Sequence, residues 1–268
     1  SDVTPILKSA SIIGLATILL GMLCLVLDLT NPLYFWRILV YYNPTSVMSI
    51  GVMLLLFYIP LVAVLFVMCF ADTFSTWPLL GWIKPVCAKL EAWKTWINAI
   101  VMVLALAICA YTGFLISALI RFPLINTAVL PALFVASGIS AGMAATKILA
   151  AWFFGAKETD PDMHAMHQAE WPVMATEAFC LFMIAIALLS GNESAKLAFS
   201  AFTEGVWAVV FWVGAVCVGF GVPLLASIVA GSKPESKMSF YFAGLCAIGG
   251  IMCLRLFILY AGQMNTLV

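Results

Sequence analysis

Long apolar stretches alternate with short polar ones along the whole chain. Apolar runs fall at 9–27, 45–70, 95–119, 127–153, 171–190, 203–229 and 239–262, each 19 to 27 residues long. Crossing a hydrocarbon core takes about 20 helical residues at about 1.5 Å rise, so each run predicts one membrane-spanning helix. Ten-residue segments of strictly alternating polarity are absent, which excludes a membrane β-barrel. The expected fold class is all-α, a polytopic transmembrane helix bundle forming a single integral membrane domain over 1–268. The longest link, 71–94, is too short to be a soluble domain. Any large cofactor-carrying domain therefore belongs to another protein.

Composition changes the weight of each polar residue. Hydrophobic residues make up 65% of the sequence, charged residues 9%, and the net charge is zero. A neutral protein of this kind is not expected to bind nucleic acid. An ionisable side chain at the bilayer centre costs about 2.5 to 3.5 kcal/mol on insertion scales, so each one inside a span needs a partner or a function. The eight cysteines include no CxxC pair. They read as small apolar residues rather than iron–sulfur or zinc ligands. His164 and His167 lie in the acidic segment 157–170, read as a solvated loop turning into a helix, with a metal site as the weaker alternative. No His falls within a span, so no bis-His haem is expected. No Lys lies within the last span, which argues against a retinal Schiff base. No metal and no haem are expected in this protein.

Lysine distribution orients the bundle. The N-terminus and links 71–94, 154–170 and 230–238 hold Lys8, Lys84, Lys89, Lys94, Lys157, Lys233 and Lys237; the opposite links hold Arg37, Arg121 and Lys196. Seven against three places the N-terminus in the cytoplasm, and an odd number of spans places Val268 outside. Trp77, Trp82, Trp93 and Trp96 fit a cytoplasmic aromatic belt. On the outer side, the segment 28–44 carries a stop at Asp28, capping residues at Thr30 or Asn31, and Pro32. From Leu33 to Tyr42 it reads as a short aromatic helix flat on the surface, either an interfacial anchor or the lip of an access port for a lipid-soluble ligand.

Orientation then assigns depth. Asp28 ends the first span, Tyr111 and Thr112 lie in the outer half of the third, and Arg255 and Gln263 lie toward the outer end of the seventh. Asp28, Tyr111, Arg255 and Gln263 are thus expected in the outer third. Arg255 at that depth needs an anion, for which Asp28 is the candidate, as a structural pair or as a proton-exchanging one. Gly113 is expected to leave room for something flat beside the Tyr111 hydroxyl. In the inner half, Lys147 either snorkels to the interface or serves Glu177. Glu177 and Lys147 are candidates for a proton path. The stripe Ser137-Gly138-Ile139-Ser140-Ala141-Gly142 contains GxxxG and reads as a close-packing face for another helix.

Four stretches carry a resemblance that covers the whole chain: Asn43-Pro-Thr-Ser-Val-Met-Ser-Ile-Gly51, Ala110-Tyr-Thr-Gly-Phe-Leu-Ile-Ser117, Leu130-Pro-Ala-Leu-Phe-Val-Ala-Ser-Gly-Ile-Ser-Ala-Gly142 and Leu254-Arg-Leu-Phe-Ile-Leu-Tyr-Ala-Gly-Gln263. The sequence resembles the NrfD/PsrC-like membrane subunits of nitrite and polysulfide reductase complexes, most of all the nitrite-reductase branch. The resemblance implies a haem-free quinol dehydrogenase of the bacterial inner membrane. It would oxidise menaquinol or ubiquinol near the periplasmic face and pass electrons to a periplasmic [4Fe–4S] ferredoxin-like subunit and a terminal reductase. It implies that Tyr111 hydrogen-bonds a quinone oxygen, that Asp28 is the carboxylate beside the site, and that Arg255 is the last-helix arginine. Thr112, Gly113 and Gln263 join Tyr111 and Asp28 as quinone-binding candidates. It also implies eight spans in two four-helix halves. Seven are visible, so a further span is expected before Ser1, in agreement with a weak internal repeat that leaves the fourth span unpaired. A redox-coupled proton-translocating module and a plain membrane anchor are the alternatives.

Overall fold

The computed structural model describes residues 3–28, 34, 36–40, 43, 46–76, 83–157, 160–230 and 237–264. Seven helices among the described residues are long and apolar enough to cross a membrane. They match the seven apolar runs, and no strand occurs among the described residues. The fold divides into two compact units, 1–111 and 112–268.

The first unit contains α1 (Pro5–Asp28), the short α2 (Arg37–Val40), α3 (Val47–Cys69), α4 (Ala71–Ser75), α5 (Ile83–Leu90) and most of α6 (Lys94–Ser117). Its core joins Tyr58, Val62, Leu65 and Cys69 of α3 to Val101 of α6, with Leu7 and Leu15 of α1 packed against them. The contacts fix an antiparallel arrangement of α1 and α3. Gly14 faces Tyr58 and Val62, whereas Ser11, nearer the N-terminus, meets Cys69. The buried hydroxyls of Ser9 and Ser11 donate to the carbonyls of Pro5 and Lys8, so neither is left unpaired in apolar surroundings.

Two readings of the first unit change. The segment 71–94 is largely helical rather than a plain link, because α5 is amphipathic and buries Cys87 against Met68 of α3. Lys84 of α5 pairs with Asp72 of α4 at 3.4 Å. In the outer segment Arg37–Val40 is α-helical and Tyr34 takes a 3-10 conformation, with the Arg37 guanidinium 4.8 Å from the Tyr34 ring centre. Thr30, Asn31, Pro32, Leu33, Tyr41, Tyr42, Trp77 and Trp82 lie outside the described residues. Trp93 and Trp96 are exposed.

The second unit contains α7 (Leu130–Phe153), α8 (Pro161–Leu189), α9 (Glu193–Phe199), α10 (Gly205–Val209), α11 (Val222–Ala230) and α12 (Lys237–Leu256). A π-helical stretch, Val210–Gly221, joins α10 to α11 into one span, and a π turn, Phe257–Ala261, extends α12. Here α8 begins ten residues before its apolar run. Asp160 and Pro161 start it, and its first turns are polar, so hydrophobicity alone shows only the later part. The loop of segment 157–170 thus turns into helix at Pro161, before His164 and His167.

Glycines set the closest approach in this unit. A Cβ placed on Gly250 of α12 would stand 2.0 Å from the Cα of Gly219 in the π-helical stretch. The two backbones touch there, which only paired glycines permit. Gly142 of the GxxxG stripe has no atom within 4 Å of such a Cβ. The stripe does face α12, since Ser137 accepts from Arg255, but the closest backbone approach is at Gly219 and Gly250 rather than at Gly142.

Candidate functional site

In the first unit the site grows from one glycine. Gly51 lies in the second turn of α3, and a Cβ placed there would be 2.0 Å from Cζ of Tyr111 and 2.4 Å from both Cε atoms. The phenol of Tyr111, near the end of α6, therefore lies across bare α3 backbone. A methyl group at position 51 would occupy the space of the ring. Asp28 is the exposed last residue of α1. Since α1 and α3 are antiparallel, the end of α1 and the start of α3 lie at one end of the unit. Asp28 and the Tyr111 ring thus share that end. The signal for Gly51 was a glycine inside an apolar run, and it closes one of the four stretches that carry the family resemblance.

Thr112, Gly113, Arg255 and Gln263 fall in the second unit. The space beside Gly113 is filled. A Cβ there would lie 2.5 Å from Cα of Pro131, in the first turn of α7. Gly113 thus seats a helix start rather than leaving a slot for a flat ligand. Proline has no N–H to satisfy at that position, which lets the two backbones approach. Gln263 is exposed in the turn after Ala261.

Arg255 is held by α7. Its Nη2 donates to the Phe134 carbonyl at 3.4 Å and to Ser137 Oγ at 3.3 Å, and its guanidinium lies 5.0 Å from the Phe134 ring centre. Glu177 of the same unit lies within electrostatic reach of Arg255. Glu177 is 1% exposed, and its Oε1 has no hydrogen-bond partner among the described residues. A buried carboxyl oxygen without a partner costs several kcal/mol and calls for water, a proton or a ligand.

Lys147 does not serve Glu177 directly, nor does it snorkel. It is 8% exposed and forms an ion pair with Glu170. Glu170 stands seven residues before Glu177, about 10 Å along α8. The other oxygen of Glu170 is 3.3 Å from Nδ1 of His167, and Nε2 of His167 is 3.4 Å from Ser227 Oγ. Two small chambers adjoin this cluster. One, of about 50 Å³, is lined by Lys147, His167, Glu170 and Gly244. The other, of about 40 Å³, is lined by His167, Glu170, Ser140, Ser227 and Glu177. At about 10–15 Å³ per water on this measure, each has room for a few waters. Sequence reasoning missed Glu170 and Ser227 and misjudged His167. Their signal was spacing: 167, 170, 174 and 177 form one stripe on a helix, visible only once α8 extends back to Pro161.

The model of the family described as polysulphide reductase, NrfD, matches residues 1–266. The protein belongs to this family. It is 35% identical to the C subunit of polysulfide reductase from Wolinella succinogenes over 260 residues, 96% of this protein and 82% of that one. It is 35% identical to protein NrfD of Escherichia coli over 275 residues, covering 97% of this protein and 83% of the relative. A protein NrfD homolog of Haemophilus influenzae is 34% identical over 266 residues, with coverage of 97% and 83%. The resemblance read from the four stretches is thereby established, while the polysulfide and NrfD relatives match equally well. The protein is a multi-span membrane member of an oxidoreductase-associated family.

Proposed function

We propose that this NrfD-family subunit oxidises a membrane quinol, menaquinol or ubiquinol, at the Asp28–Tyr111 end of its first unit. The observation that carries the reading is the Tyr111 ring lying across Gly51 at the end where α1 closes on Asp28. A quinol releases two protons and two electrons, so its site needs a hydrogen-bond partner for the ring oxygens and a proton acceptor with an exit. The Tyr111 hydroxyl holds one oxygen. Asp28, exposed at the helix end, accepts the two protons one after the other and returns each to water. The electrons leave to a periplasmic [4Fe–4S] ferredoxin-like subunit of a terminal reductase complex. In the orientation set by the lysines, this end faces the periplasm of the bacterial inner membrane, with the N-terminus cytoplasmic and the C-terminus periplasmic. Binding of a quinone analogue to the purified subunit tests the site. Loss of binding in well-folded Tyr111→Phe and Asp28→Asn is expected; unchanged binding in both would remove the site from this end.

A second reading rests on the second unit, where Glu177 Oε1 has no hydrogen-bond partner among the described residues and lines a chamber with Glu170 and His167, which also line a second chamber with Lys147. In it, the subunit moves protons in step with the redox reaction. Proton uptake by the complex reconstituted in vesicles separates the two. If Glu177→Gln abolishes proton movement and leaves quinol oxidation intact, the subunit does both. If it changes neither, the transport reading fails.

A further inference from the structure

The second unit also carries an open apolar groove of about 660 Å³ between α8 and the π-helical stretch. Its size is in the range of pockets that hold drug-sized ligands. Small residues make it: Ala175, Ala178 and Ala185 on α8 leave a trough that the aromatic side chains opposite do not fill. One end is closed by Phe202, Thr203 and Trp212, where the Trp212 indole N–H already donates to the Phe202 carbonyl at 2.9 Å. The other end differs. There the groove shares Trp171, Met174, Phe220 and Leu224 with the small chamber that Glu177 lines. An apolar trough thus runs to a buried carboxyl whose Oε1 has no partner among the described residues.

This arrangement selects an amphiphile by chemistry. The tail must be long and apolar. The head must be flat enough to stand between Trp171 and Phe220, and must offer an O–H donor toward an acceptor. The chamber admits only a few waters, so the head stops at its mouth and bridges to Glu177 through water. We propose that this groove is a second quinol site, with the isoprenoid tail along α8 and one ring hydroxyl directed to Glu177 through the chamber. The identity of the ligand rests on the quinol reading above; the site itself does not depend on Tyr111.

A photoreactive azido-quinone with an isoprenoid tail, applied to the full-length subunit and mapped by mass spectrometry, tests the proposal. Wild type and Tyr111→Phe are expected to carry label on peptides from 171–185 and 211–224, and Ala178→Trp is expected to lose at least tenfold of it. Ala178→Phe serves the same purpose if the Trp variant does not elute as a folded species. Label confined to the first unit would overturn the second site and leave the Tyr111 reading standing. First-unit label that persists in Tyr111→Phe, with groove label intact, would do the reverse. Groove label unchanged by filling Ala178, or obtained with a diacyl-phospholipid photoprobe and not with the quinone, overturns the second site. No label in either unit overturns both.

Discussion

The first unit keeps its interior nearly free of ionisable groups and carries its candidate chemistry at one end. The second threads a lysine, two carboxylates, a histidine and an arginine through its helices. Two glycine contacts sharpen the contrast. In the first unit Gly51 makes room for a side chain, the Tyr111 ring; in the second Gly219 and Gly250 make room for backbone, while Gly214 and Gly244 there face the side chains of Cys253 and Ile148. A ring can swing aside and a helix cannot. The lesson is that one residue type sets the position of a functional group in one unit and the existence of the packing in the other. Substitution should therefore separate the units sharply.

The sharpest break is Gly250→Val. Its Cβ would meet Gly219 Cα at 2.0 Å and Gly219 N at 2.6 Å, and neither atom can move without shifting a span. Overpacking against backbone should cost more than about 3 kcal/mol, above the usual 1–3 for strained cores. The expected result is loss of the monodisperse peak in detergent and a collapsed melting temperature. A wild-type melting profile would mean that α12 and the π-helical stretch do not touch there.

Lys147→Met comes next. The variant strands Glu170 with His167 as its remaining partner, and breaking a buried pair costs about 3–5 kcal/mol. The Glu170 side chain is 21% exposed, so water recovers part of that and about 2 kcal/mol is the expected loss. The double variant Lys147→Met with Glu170→Gln should regain most of it, since no stranded charge remains. Thermal melts of the three variants decide it. Strictly additive losses would show that the pair contributes nothing as a pair.

Gly51→Ala should act differently from both. The methyl group displaces a ring end rather than backbone, so stability falls by about 1–2 kcal/mol. Under the proposed function, quinol oxidation falls tenfold or more, because the hydroxyl moves away from the position it holds. A stability loss with full activity would detach Tyr111 from the chemistry. Gly51→Ala thus changes function more than folding, whereas Gly250→Val does the opposite.

Much of this was legible in the sequence, and the reason it was not all legible is physical. Span number and type follow from apolar length, because lipid leaves the backbone no alternative to helix. Tyr111, Arg255 and Glu177 stood out because ionisable or phenolic groups are rare in such runs. Contacts were harder. Arg255 found Ser137 and the Phe134 carbonyl on α7, and a carbonyl acceptor carries no sequence signal. Glu170 and His167 were hidden because the polar start of α8 lies before its apolar run and reads as solvated, although its spacing already placed them in line with Glu177. Gly219 and Gly250 were hidden because they pair across distant segments, whereas Gly138 and Gly142 advertise themselves by being close in sequence.

That last contrast yields the smallest expected effect. Gly142→Ala adds a methyl group where nothing lies within 4 Å. Glycine inside a helix costs about 0.5–1 kcal/mol relative to alanine, chiefly through backbone freedom lost on folding. In open space that gain is not offset by a clash, so the variant should melt at or slightly above the wild-type temperature. A GxxxG face engaged by a neighbouring helix would behave oppositely, since backbone contact leaves no room for a methyl. Differential scanning calorimetry of Gly142→Ala beside Gly250→Val therefore tests the division of labour among glycines directly. A loss of several kcal/mol at position 142 would restore the motif as a packing face. A small gain there, with collapse at 250, would place the tight crossing of the second unit at the glycine pair that sequence proximity concealed.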